Sequence, residues 1–321
     1  MWKIISTINK QLVVAIPSMM LMGFILGFFF EVDFLKNLIV PLIFLMTYPM
    51  MVTLNIRKVF EGGDIKAQAL TQFINFALIP FIAYGIGRIF FANRPYMALG
   101  LLLAGLMPTS GMTVSWTGFS RGNLEAAVKM TAIGLTLGSL LAPFYVLFLM
   151  GAHVEVDVIH MMEQIILIVF IPMTAGFLTQ QALIRKYGEK RFHEKWAPKF
   201  PPLSVLGALG VVFVAIALKA RAIAHDPLLL LYIFLPLIAL YAINFLLSTL
   251  IGKAFLPRGD AIALVYGTVI RSLSISLAIA INSFGAAGSD AALVISIAYM
   301  IQTQSAAWYV KFADRIFGRP N

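Results

Sequence analysis

Runs of about twenty consecutive apolar residues, the length a helix needs to cross the hydrocarbon core of a bilayer, recur ten times along this 321-residue sequence. They lie near residues 12–30, 34–54, 68–91, 96–119, 125–150, 158–181, 202–220, 228–252, 261–284 and 289–312. Only 12% of the residues are charged, against about 25% in a soluble domain, so little of the chain is left to stand outside the membrane. The expected fold class is therefore an all-α membrane protein of ten transmembrane helices. The first run, Leu12 to Phe30, follows Lys3 and Lys10. It is too long for the core of a signal peptide and lacks a small-residue cleavage site, so it is expected to stay as the first span.

The charges that remain set an orientation. With the N-terminus inside, the cytoplasmic segments hold Lys3, Lys10, Arg57, Lys58, Lys66, Arg121 and Lys129, the six basic residues of the 182–201 connector, then Lys253, Arg258, Lys311, Arg315 and Arg319. That makes 18, against five outside: Lys36, Arg88, Arg94, Lys219 and Arg221. Cytoplasmic loops are the ones enriched in lysine and arginine, which predicts a cell (inner) membrane protein with both termini cytoplasmic. The net charge of +10 follows from the same loops. No basic segment is interleaved with aromatics as single-strand binding needs, so a nucleic-acid partner is not expected. The sequence has no cysteine, which excludes disulfides, thiolate metal sites and cysteine nucleophiles. His153, His160, His193 and His225 fall in loops or at span edges, with no metal spacing; neither a metal nor a cofactor is expected, apart from Na+ as a coupling ion.

A shift of 155 or 156 residues pairs Pro17 with Pro172, Pro80 with Pro236 and Gly111 with Gly267. Each half, 1–157 and 158–321, then holds five spans, and an odd number inverts the second half relative to the first. Inverted repeats with interrupted helices at matching positions mark many secondary transporters, whose site lies near the bilayer midplane.

The interruption shows most plainly at 107–123, Met-Pro-Thr-Ser-Gly-Met-Thr-Val-Ser-Trp-Thr-Gly-Phe-Ser-Arg-Gly-Asn. Pro108 removes a helical hydrogen bond and clashes with the preceding turn. Around it stand Gly111 and the hydroxyls of Thr109, Ser110, Thr113, Ser115 and Thr117. Broken backbone at membrane depth is tolerated only where protein buries it or where it lines a wet cavity. Span nine repeats the pattern with Gly267, Thr268, Arg271, Ser272, Ser274 and Ser276. A guanidinium near a span centre costs about 2.5–3.5 kcal/mol on the mildest scale, and such charges are functional by default. The helix breaks are thus placed at Pro108, Gly111 and Gly267. The candidate substrate-binding residues are Arg271, Thr109, Ser110, Thr113, Ser272, Ser274 and Asn75. Gln72, one turn from Asn75, shares its face. Asn244, Asn282, Gln302, Thr303 and Gln304 read as helix–helix hydrogen-bonding groups. Gly23 with Gly27, and Gly134 with Gly138, have the small-xxx-small spacing of close helix packing.

The segment Pro41-Leu-Ile-Phe-Leu-Met-Thr-Tyr-Pro-Met-Met-Val-Thr-Leu54 resembles the second span of the arsenite permeases, and Phe73 to Pro80 resembles their third. The stretch from Gly105 through Ser120-Arg-Gly-Asn123 to Thr131 is similar to the fourth and fifth spans of arsenite permeases and bile acid:sodium symporters alike. The resemblance implies ten helices in a panel and a core drawn from both repeats, with helices four and nine unwound and crossing, and transport by alternating access. It also implies sodium ligation near Gln72, Ser110 and Ser115. Two departures matter. Arsenite permeases carry a cysteine after the proline of the fourth helix, where this chain has Thr109; the symporters carry a glutamate in the ninth helix, where Tyr266 to Ser274 holds no acid but does hold Arg271.

These readings converge on a secondary transporter of a small anionic solute, coupled to sodium or protons or to neither if Arg271 stands in for a bound cation. Arsenite or antimonite efflux and sodium-coupled uptake of a steroid-like or keto acid are the alternatives within transport. A membrane receptor or an intramembrane enzyme is the alternative of another class. The spans carry no nucleophile–base pair or paired carboxylates for an enzyme, and the largest connector is of ordinary size. The partners expected are that solute and the lipid bilayer.

Overall fold

Proline and glycine decide where the apolar runs are continuous and where they stop. The computed structural model describes residues 12–53, 64–225 and 228–319. Lys3, Lys10, Arg57 and Lys58, used above for orientation, and Leu54 lie outside the described residues. Among the described residues the chain is helical throughout, without a β-strand. The helices are α1 (Leu12–Phe29), α2 (Ile39–Val52), α3 (Ile65–Phe90), α4 (Pro95–Leu106), α5 (Gly111–Phe119) and α6 (Leu124–Met150). They continue as α7 (Val158–Tyr187), α8 (Phe200–His225), α9 (Leu228–Phe255), α10 (Arg258–Val269), α11 (Leu273–Phe284) and α12 (Gly288–Phe317).

Among the described residues, six helical stretches are long and apolar enough to cross a membrane: Asp33–Val52, Ile65–Phe90, Leu124–Met150, Val158–Tyr187, Glu189–Arg221 and Leu228–Phe255. The runs expected at 96–119 and 261–284 are each split into two shorter helices, and 289–312 lies within the 30-residue α12, whose interior carries Gln302, Thr303 and Gln304. The chain is a multi-pass membrane protein.

Two prolines leave π-turns behind them. Ile74–Leu78 precedes Pro80 in α3, and Ile166–Phe170 precedes Pro172 in α7. Pro80 has no N–H to give the Phe76 carbonyl, and the Tyr145 hydroxyl of α6 donates to that oxygen instead at 2.7 Å; such substitutions are how membrane helices tolerate proline. Pro17 and Pro236, their partners in the sequence register, sit inside uninterrupted α-helix.

The helices pack as two groups. In the first, α8 lies against α1 and α2, and α7 against α2. In the second, α10 packs on α9, α6 and α3, while α12 packs on α4, α11 and α9. Small residues allow the closest approaches. A Cβ on Gly23 or Gly27 of α1 would lie 2.5 or 2.0 Å from the carbonyl oxygens of Phe213 and Ala217 in α8, and one on Gly100 of α4 would lie 2.7 Å from the Ala291 Cα in α12.

Candidate functional site

Both interrupted helices break at the same place in the molecule. Helix α4 ends at Leu106 and α5 starts at Gly111; α10 ends at Val269 and α11 starts at Leu273. The two extended connections lie side by side, with an isolated antiparallel bridge between Pro108 and Arg271 and a hydrogen bond from the Ser272 N–H to the Met107 carbonyl at 2.9 Å. One placement differs from the sequence reading. Gly267 is inside α10, and the second interruption comes at Ile270–Ser272. No proline fixes that break. Gly267 is instead a close-packing residue, where a Cβ would lie 2.9 Å from the Met130 sulfur. The helix starts after the breaks are 162 residues apart (111 to 273), not the 155 or 156 of the proline register.

Polar side chains from other helices take up the backbone groups that the breaks release, as buried polar groups require. Asn75 Nδ2 donates to the Gly267 carbonyl at 3.0 Å and Asn244 Nδ2 to the Thr268 carbonyl at 2.9 Å. Gln302 takes both backbone groups of Arg271: Oε1 accepts from the N–H at 2.8 Å and Nε2 donates to the carbonyl at 3.2 Å. Ser276 Oγ donates to the Leu103 carbonyl at 2.8 Å. Asn75 therefore serves the second break, and Asn244 and Gln302, set aside as helix–helix groups, have that specific task.

At the first break Thr109 has φ +62°, a left-handed conformation that costs a β-branched residue about 1–3 kcal/mol. Its hydroxyl lies 2.7 Å from the Pro108 carbonyl and 3.2 Å from that of Thr131 in α6. Gly134 and Gly138 face this turn rather than another helix: a Cβ on Gly134 would stand 2.9 Å from Thr109 Oγ1, and one on Gly138 2.6 Å from Pro108 Cδ. Gly138→Val is accordingly expected to lower stability by about 1–3 kcal/mol through overpacking and to lower transport with it. Thermal unfolding of the purified variant, alongside the conservative Ser139→Ala as control, measures the first effect.

A cavity of about 140 Å³ lies between the two helix groups. One wall is Ile16 of α1, Met50 of α2 with its capping Thr53, and Pro201 to Val212 of α8; the other is Ser110 to Met112, Ser115, Ser274 and Tyr299. Among the described residues the polar lining consists of Thr53, Ser110, Ser115, Ser204, Ser274 and Tyr299, with no charged side chain. Ser274 Oγ and Tyr299 Oη are hydrogen-bonded at 2.7 Å, and Ser204 Oγ donates to the Met46 carbonyl. The first residues of α5 and of α11 both face this space, so two helix N-termini direct partial positive charge at it. Ser110 caps α5, its hydroxyl accepting from the Met112 N–H at 3.2 Å while Thr113 Oγ1 accepts from the Ser110 N–H at 3.2 Å.

Of the candidate site residues, the structure brings Ser110, Ser115 and Ser274 to the cavity. Thr109, Thr113, Ser272 and Asn75 are buried around the breaks, behind its wall. Arg271 is also behind the wall, 2% exposed, and its Nε, Nη1 and Nη2 have no hydrogen-bond partner among the described residues. Gln72 also has no partner at either amide atom among the described residues, and it is not among the residues lining this cavity. Tyr299, Thr53 and Ser204 are not legible in the sequence, because a single hydroxyl within a long helix or at its end carries no signal of its own.

Comparison with known proteins bears on the same elements. The model described as Sodium Bile acid symporter family matches residues 40–226. The arsenical-resistance protein Acr3 of Alkaliphilus metalliredigens is 25% identical over 288 residues, covering 85% of this chain and 80% of that protein. The uncharacterized protein YbaS of Bacillus subtilis is 25% identical over 254 residues, covering 78% and 80%. The probable sodium/metabolite cotransporter BASS1 of Arabidopsis thaliana is 25% identical over 150 residues, covering 47% of this chain and 36% of that protein.

Proposed function

The chain belongs to the sodium bile acid symporter family of membrane transporters, and from that membership we propose that it carries a small anionic solute across the cell membrane by alternating access. On this reading the chain spans the bilayer ten times as two inverted five-helix repeats, with both termini in the cytoplasm. The group of α1, α2, α7 and α8 forms the panel, the remaining helices form the core, and the two rock about the cavity between them.

The carrying observation is that the N-termini of both broken helices face one cavity, with a guanidinium buried at their junction that has no hydrogen-bond partner among the described residues. All three sources of positive charge favour an anion, and among the described residues no carboxylate lines the cavity. Arg271 supplies a fixed positive charge where relatives of the symporter type use a bound cation, so transport is expected to run without sodium. The test is uptake and counterflow of a panel of radiolabelled small anions in proteoliposomes. Uptake that persists when choline replaces sodium supports the reading; uptake that stops in choline assigns the charge requirement to sodium, and absence of counterflow for every anion overturns it.

The similarity to Acr3 proteins favours a second reading, efflux of arsenite or antimonite. Soft trivalent arsenic prefers thiolate, and this chain has Thr109 after Pro108 and no cysteine anywhere. The metalloid would therefore be held as its hydroxide, by hydrogen bonds to Ser110, Ser115, Ser274 and Tyr299. Growth of a metalloid-sensitive strain on arsenite separates the readings, since the first predicts no gain in resistance from this gene.

A further inference from the structure

We propose that Lys219 and Asp290 form a gate that holds the cavity shut toward one face of the membrane, its mouth being at the other face, toward Pro201; this rests on the alternating-access reading above. Lys219 is on α8 and Asp290 in the first turn of α12, so the pair joins one helix group to the other, with Nζ 2.6 Å from Oδ1. The cavity lies along the first half of α8 and near the middle of α12. Along α8 it runs from Pro201 to Val212, and Lys219 lies seven residues further on, about 10 Å along the axis. Along α12 it touches Tyr299, and Asp290 lies nine residues back, about 13 Å in the other direction.

Between the cavity and Lys219, Val214, Ile216 and Ala217 of α8 are buried, Ala217 against Gly27 of α1. Each partner of the pair is also set on a rigid base, Lys219 on α8 pressed against Gly23 and Gly27 of α1, Asp290 on α12 pressed against Gly100 of α4. An ion pair between two such bodies is broken when they rotate apart at this end and remade when they close. Its carboxylate also sits at a helix N-terminus, where negative charge is favoured. Both side chains are part-exposed, 23% and 42%, so the pair is within reach of water when it opens.

Because the chain has no cysteine, Ala208→Cys places a single thiol on the cavity wall of α8. Its labelling by a membrane-impermeant maleimide is followed in sealed vesicles of both orientations. In the otherwise unchanged chain the thiol is expected to react from the mouth side and slowly from the gate side. Lys219→Gln or Asp290→Asn should raise the gate-side rate about two- to five-fold, the population shift that loss of a part-exposed ion pair allows, and lower the mouth-side rate. The exchanged pair Lys219→Asp with Asp290→Lys should restore the original rates. Unchanged rates in both single variants overturn the assignment, as does an exchanged pair that labels like the single variants. Since labelling needs no solute, a wrong assignment of the transported anion leaves this result intact, and a failed gate leaves the anion reading untouched.

Discussion

Arg271→Ala is expected to abolish anion transport while leaving the protein folded and more resistant to heat. The two halves of that expectation come from one observation, the absence of any hydrogen-bond partner for the guanidinium nitrogens among the described residues. A buried side chain that served only to hold the fold would be paired, and its loss would orphan its partners at about 1–3 kcal/mol each. Here nothing described is orphaned. What goes is a buried charge costing on the order of 2.5–3.5 kcal/mol at membrane depth, so the melting point in detergent should rise. Transport should fall to the background of empty liposomes, because the fixed charge at the junction of the two breaks is lost. Arg271→Lys keeps the charge but replaces a planar fork by a point charge on a flexible stem, and should retain a fraction of the rate. Normal transport by Arg271→Ala removes the anion reading; a marked loss of thermal stability would show instead that the guanidinium is a structural group.

The first break was legible because its cause is local. Pro108 cannot continue a helix, and Gly111 with five hydroxyls in the following turns announces polar backbone. The second break has no proline, and its position at Ile270–Ser272 follows from partners that are distant in sequence: Asn75, Asn244 and Gln302 come from three other helices. From the sequence Asn75 reads as a substrate-binding candidate and Asn244 and Gln302 as ordinary membrane amides, and Gly267 is the one glycine or proline within span nine. Arg271 stood out as a charge in an apolar frame, but nothing local could tell that its side chain lies behind the cavity wall. The far wall of the cavity was silent for the same reason. Met50, Ala208, Leu209 and Val212 are the residues any membrane helix would carry, and only the packing of α8 on α1 and α2 gives them a role.

Gln302→Leu is expected to be the most damaging single change at the paired breaks, and damaging in the opposite sense to Arg271→Ala. One amide accepts from the Arg271 N–H and donates to the Arg271 carbonyl, and the Tyr241 hydroxyl donates to the same Oε1 at 3.0 Å. Leucine has nearly the same bulk and none of these bonds. It leaves two backbone groups and a tyrosine hydroxyl buried without partners, each costing about 1–3 kcal/mol where no water can enter. The loss is then about 3–9 kcal/mol as an upper bound, reduced by any water the cavity admits. A sharp fall in melting temperature and in the yield of inserted protein is therefore expected. Gln302→Glu separates the parts of the effect: it keeps the acceptor for the N–H and the tyrosine but removes the donor for the carbonyl, and it places a carboxylate beside Arg271. That variant should fold better than Gln302→Leu yet transport poorly, since an internal counter-charge now neutralises the guanidinium that would otherwise act on the solute. If Gln302→Glu transports as well as the unchanged chain, Arg271 does not act on the solute through its charge, and the anion reading falls as it would with an active Arg271→Ala.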